Sequence, residues 1–204
     1  MSSPETSLKL SKFDVAERQL LLAIRLFFSS EDEVSIHTLS EAAGQILHDI
    51  GKDSGVSSIV RDCDRIRPER KTEWLAIIFK SRNFFKHADR DKDSVHEFKP
   101  LFNEMSLLDS VNMYCTLKKC WTPETIIFLV WFGLKHPNLI KEDGVIHAVL
   151  LKLSSGWDAP GPTDKAFFGK AIGALRSGAL RVPNVTLELG QFHAIAPSEK
   201  HSFS

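Results

Sequence analysis

Cysteine is scarce in this chain and shows no pairing pattern. Cys63, Cys115 and Cys120 are odd in number and none forms a Cys-x-x-Cys spacing, which argues against a disulfide framework and leaves no zinc signature. Long apolar runs are missing too. The most apolar stretch, Thr125 to Leu134, is closed by Lys135, His136 and Pro137 and is about half the length a bilayer-crossing helix needs. The opening Met-Ser-Ser-Pro-Glu has no basic segment leading into an apolar one, so no secretory signal is expected. Neither sign of charge is in surplus, with 26 Lys and Arg against 26 Asp and Glu, so no net field draws the whole molecule to nucleic acid or to an anionic membrane. A Gly-rich phosphate loop, a Gly-x-Ser-x-Gly elbow and a dinucleotide fingerprint are all absent, which leaves ATPase, serine hydrolase and dehydrogenase readings without support. The expectation is a cytoplasmic protein with reduced thiols, no membrane association, no cofactor and no metal.

What is there is the balance of an ordinary globular protein: 204 residues, 43% apolar and 25% charged. That length favours one core over two. The expected organisation is a disordered N-terminus over 1–11, a single helical domain over 12–195 and a disordered tail over 196–204.

Helical periodicity dominates. Phe13, Leu20, Leu21, Ile24, Phe27 and Phe28 mark a first helix. Thr38 with Glu41 reads as a capping box opening a second, whose apolar face runs to Ile50 and ends at Gly51. The charged stretch Arg61 to Lys71, with Pro68, reads as a surface connection built from a short helix and a bend. Trp74, Leu75, Ile78, Phe79 and Phe85 form a third stripe. Ser94 with Glu97 reads as a second capping box, opening a long helix with Phe98, Leu101, Met105, Leu108, Val111 and Cys115 on its inner face and Pro100 in its opening turns. Thr122-Pro123-Glu124 starts a further helix, in which Phe128, Trp131 and Phe132, with Trp121 before it, could be core or a dimer surface. Two more helices are expected, around 142–153 and 163–177. Only Val182 to Leu189 could be a strand; with nothing to pair with, it could instead be an extended tail or a dimer contact. The fold class is all-α: a single-domain bundle of about six to eight helices with a short irregular or extended C-terminal segment.

Two short motifs bear on chemistry. His48 to Lys52 read HDIGK, which resembles the metal-binding His-Asp pair of HD-domain phosphohydrolases. The resemblance implies a further histidine converging from a separate helix. The only upstream histidine is His37, eleven residues earlier on what reads as the same helix. At 1.5 Å per residue the two lie roughly 16 Å apart, too far to share one ion. A histidine in the last helical turn, followed by Gly51 as a left-handed cap, accounts for the same letters.

Residues 82–87 read RNFFKH, which resembles the Arg-x4-6-His motif of HEPN domains, where Asn is a common residue after the arginine. The resemblance implies an antiparallel helical fold, a homodimer in which motifs from two protomers line one cleft, and RNA or nucleotide as ligand. It further implies metal-independent RNA cleavage by attack of the ribose 2'-hydroxyl on the adjacent phosphate. In that reading Arg82 would neutralise the phosphorane, His87 would move protons and Asn83 would orient His87 or the phosphate. Lys80, Lys86 and Arg90 could contribute to a local basic patch, with Lys92 and the upstream Arg65, Arg67, Arg70 and Lys71, diluted by Asp89, Asp91 and Asp93. On one continuous helix Asn83 and His87 share a face whereas Arg82 is about 140° from His87, so the helix must bend or end for all three to meet. The rival reading is a non-catalytic helical interaction protein that dimerises or receives a protein partner.

Overall fold

Seven α-helices form among the residues described: α1 (Lys12–Phe28), α2 (Glu33–Gly51), α3 (Lys71–Ile78), α4 (Lys80–Lys86), α5 (Leu101–Lys118), α6 (Pro123–Lys135) and α7 (Lys165–Arg176). The computed structural model describes residues 7–89, 91–140, 147, 163–182 and 185–190. The helix expected around 142–153 lies outside these, apart from His147, as do both ends of the chain.

α1 begins where its sequence supplies a reciprocal cap. The Ser11 hydroxyl accepts from the Asp14 amide at 3.1 Å and the Asp14 carboxylate accepts from the Ser11 amide at 2.8 Å. One face then buries Leu20, Leu21, Ile24, Phe27 and Phe28. α2 starts earlier than the Thr38 capping box suggests, because Asp32 caps it by accepting from the Ser35 amide at 2.7 Å. Thr38 is mid-helix, its hydroxyl donating back to the Val34 carbonyl, and Glu41 points inward. Gly51 is not a left-handed cap; its φ is −86° and the left-handed position falls to Gly55 at φ 70°. Gly51 is required for space instead, since a Cβ there would stand 2.7 Å from Cβ of Val56.

The second expected capping box also fails. Ser94 donates to the Asp91 carbonyl in a turn, and α5 starts only after Pro100, which occupies the N-cap. A proline disfavours helical backbone at the residue before it, so Lys99 cannot carry a helix across that point. Phe98 therefore packs outside α5, its ring 4.9 Å from His37 and 5.2 Å from Phe85. Of the inner face expected for α5, Leu101 is 53% exposed, whereas Val111 is buried and Met105, Leu108 and Cys115 pack against the core; Asn103, Ser106, Asp109 and Ser110 are buried too, beside Leu107 and Tyr114.

α1 packs on α2, α2 on α5, and α6 lies against α1, α5 and α7. The aromatic residues of α6 are core: Phe128, Trp131 and Phe132 are all buried, and Trp131 meets Phe27 edge-on with centroids 4.8 Å apart. The C-terminal segment folds back onto this core. Val182 is buried, and Leu187 forms a single parallel bridge with Trp121, where the Glu188 amide donates to the Trp121 carbonyl at 2.9 Å. Among the described residues there is no β-strand.

Candidate functional site

The RNFFKH motif occupies α4, a two-turn helix set off from α3 by a break at Phe79 (φ −90°, ψ 6°). The Asn83 amide donates to the Phe79 carbonyl and the His87 amide to the Asn83 carbonyl, at 2.9 and 3.1 Å. His87 itself is extended and closes the helix. Asn83 and His87 lie one turn apart and line the same open groove of about 490 Å³, together with Lys80, Phe84, Asp89 and Asp91. Both are exposed. The groove thus offers a hydrogen-bonding amide, an accessible imidazole and one ammonium, with two carboxylates at its edge.

Arg82 does not join them. Its Nη1 donates to Oε1 of Gln45 on α2 at 2.9 Å, and its guanidinium carbon lies 4.0 Å from the centroid of the Phe79 ring. Burial lowers its pKa, opposed by the charge of Glu41 and assisted by that of Arg61. The end of α4 at Lys86 frees His87 from helical geometry but leaves Arg82 on the opposite face. Lys86, whose pKa is likewise lowered by burial and then by Arg82, belongs to the Arg82 side. Lys80 lines the groove, and Arg90 lies outside the described residues. Upstream, Arg70 pairs with Glu73 at 2.6 Å and Lys71 donates to the Cys63 carbonyl at 3.2 Å.

The HDIGK segment serves as a tether. His48 Nε2 lies 3.1 Å from Asp62, whose carboxylate also accepts from the Ser58 amide at 2.8 Å, fastening the loop after α2 to the end of that helix. Asp49 accepts from Gln45 and Lys52, which hold its carboxyl below the usual range. His37 stands on the same unbroken helix. Among the described residues no three His, Cys, Asp or Glu side chains are grouped to hold one metal ion.

A second polar cluster, between α2, α5 and the loop after α2, is not evident from apolar periodicity. Arg61, expected on a surface connection, is only 7% exposed. Its Nη2 reaches Glu41 Oε2 at 3.5 Å, while Glu41 Oε1 accepts from Ser106 at 2.7 Å. Ser106 also meets Ser40 at 2.9 Å, and Ser110 donates to the Ser40 carbonyl at 3.1 Å. Asp109 accepts from the Ser58 hydroxyl at 2.7 Å and from the Ile59 amide at 2.6 Å; burial nonetheless pushes its carboxyl up. The usable signal was the run of small or polar residues at helical spacing, Ser40 and Gly44 on α2 against Ser106 and Ser110 on α5, which marks two helices in close approach.

No described helix is long and apolar enough to cross a membrane. Comparison of the chain with protein-family models, with curated proteins and with solved structures found no match.

Proposed function

We propose that this chain is a HEPN-like protein that engages RNA or a nucleotide at the α4 groove, acting as a homodimer in the cytoplasm. The observation that carries the reading is the shared placement of Asn83 and His87 in one open groove with Lys80. Histidine is the side chain that exchanges protons near neutral pH, and an amide one turn away can orient either the imidazole or a phosphate oxygen. Metal-independent cleavage also requires a cation at the phosphorane. Arg82 supplies it in this reading only by leaving Gln45, or by reaching the groove of a second protomer, which is the role dimerisation would have.

The test is cleavage of end-labelled mixed RNA in excess EDTA by wild type, Arg82→Ala and His87→Ala. The expected result is cleavage that falls by roughly 10²–10⁴-fold in His87→Ala, the usual contribution of a general acid or base, and is also lost in Arg82→Ala.

A second reading, a non-catalytic interaction protein, is favoured by the Arg82–Gln45 hydrogen bond, which holds the arginine away from His87. Exposed apolar side chains at the same end of the molecule, Ile77 at 58% and Val95 at 97%, would suit a protein partner. Absence of cleavage by well-folded wild type selects this reading.

A further inference from the structure

The cluster around Arg61 encloses a cavity of about 40 Å³, lined by His37, Glu41, Arg61, Phe79, Ser106 and Asp109 among others. That is room for about three waters, or for one small tetrahedral ion in their place. Two of the lining side chains are more than nine-tenths buried and carry polar atoms without a partner among the described residues: Arg61 at Nε and Nη1, and His37 at Nε2. A buried guanidinium with unmet donors is costly to keep, so the chemistry of those atoms says what would complete the site.

Charge comes first. Arg61, Arg82 and Lys86 act on one another and all feel the charge of Glu41, which Arg61 reaches only at 3.5 Å, and Arg61 acts on Asp109 too. Asp109 already has a donor on each oxygen. Three cations stand against two carboxylates, Glu41 and Asp109, and burial pushes Asp109 toward its neutral form, a balance that leaves room for an anion.

His37 narrows the choice. Asn103 Nδ2 donates to the Glu33 carbonyl at 3.0 Å and to the Glu33 carboxylate at 2.6 Å, so the Asn103 oxygen is the atom 3.0 Å from His37 Nδ1. Nδ1 therefore carries the proton, and the buried Nε2 is a bare acceptor in the neutral ring. A ligand that fills the cavity needs oxygens to accept from Arg61 and a hydroxyl to donate to His37. Phosphate and phosphomonoesters retain such a hydroxyl in their monoprotonated form; sulfate near neutral pH has none.

We infer that the Arg61–His37 cavity is a binding site for a protonated phosphoryl group, either free phosphate or the terminal group of a nucleotide. The site is separate from the α4 groove, so failure of RNA cleavage leaves it standing. The test is thermal unfolding of the full chain with inorganic phosphate, sulfate or chloride at equal ionic strength, with the His37 ring resonances followed by NMR in the phosphate titration. Expected is a saturable rise in Tm of roughly 5–10 °C at a hundredfold excess over Kd, larger for phosphate than for sulfate. The His37 signals should move in step, and the effect should vanish in Arg61→Met. Repeating the titration with adenosine monophosphate distinguishes the sources: a matching shift assigns the site to a nucleotide end, and no shift assigns it to the free ion. Phosphate that stabilises no more than sulfate, or that leaves the His37 resonances in place, overturns the inference, whether or not Arg61→Met folds.

Discussion

His37 shows how one buried side chain can give the molecule a pH response. Its ring is 2% exposed, and burial lowers its pKa below the ordinary value of 6.5, against the opposing charge of Glu41. Below pH 6.5 the unfolded chain takes up a proton at this residue that the folded chain refuses. The unfolded state then binds more protons, so stability must fall as pH falls. The slope is at most about 1.4 kcal/mol per pH unit from this one group. Urea unfolding at pH 7.0 and 5.5 should show wild type losing more stability than His37→Asn over that interval. Asp109 works in the opposite sense at lower pH, because its raised pKa makes the folded state the better proton acceptor. Equal losses in wild type and His37→Asn would mean that the histidine is not held neutral.

At the scale of elements, the contact of α2 with α5 is set by small residues, and glycine has opposite roles in two helices. A Cβ at Gly44 would stand 2.6 Å from the Ser110 hydroxyl and 3.5 Å from Nη2 of Arg61. At Gly173 on α7 nothing lies within 4 Å. Alanine is a better helix former than glycine by about 0.8–1.0 kcal/mol, whereas overpacking costs about 1–3 kcal/mol. Gly173→Ala should therefore stabilise the protein by up to about 1 kcal/mol, and Gly44→Ala should destabilise it, both read from the denaturant midpoint. A stabilising Gly44→Ala would show that Ser110 can move away without cost. The same close approach explains why the apolar stripe expected for α5, which does pack on the core from Met105 to Cys115, describes only part of its buried surface. Ser106 and Ser110 face α2 because they are small and both find hydrogen-bond partners on Ser40 there, a second buried face that apolar spacing alone does not reveal. α4 teaches a related lesson: its spacing correctly puts Asn83 and His87 on one face, but only the neighbouring Gln45 on α2 determines where Arg82 goes.

Across the whole molecule, the Glu124 carboxylate ties three helices together. It is completely buried at the start of α6, accepts from Nη1 of Arg176 on α7, and lies 4.0 Å from Nη1 of Arg25 on α1. Removing the carboxylate takes the shared counter-charge from two half-buried arginines that act on one another, at up to about 3–5 kcal/mol. Glu124→Ala should accordingly lower the unfolding free energy by that amount; a loss under 1 kcal/mol would show that water reaches the two arginines. The all-α class, α1 and the Thr122 start of α6 were all set by the sequence alone, because capping and 3.6-residue periodicity are local properties of the chain, whereas the choice of core over dimer surface for the α6 aromatics came from the packing. Local rules also erred where a stronger local signal intervened, as Asp32 did ahead of Thr38 and Pro100 after Ser94. What only the tertiary structure decided was the company each polar side chain keeps. Arg61 comes from a charged loop that reads as surface, yet it is buried against Glu41, which lies twenty residues earlier on α2. Asp109 meets Ser58 across fifty-one residues of chain. Such meetings depend on how helices distant in sequence come together, and no periodicity in one segment encodes its partner in another.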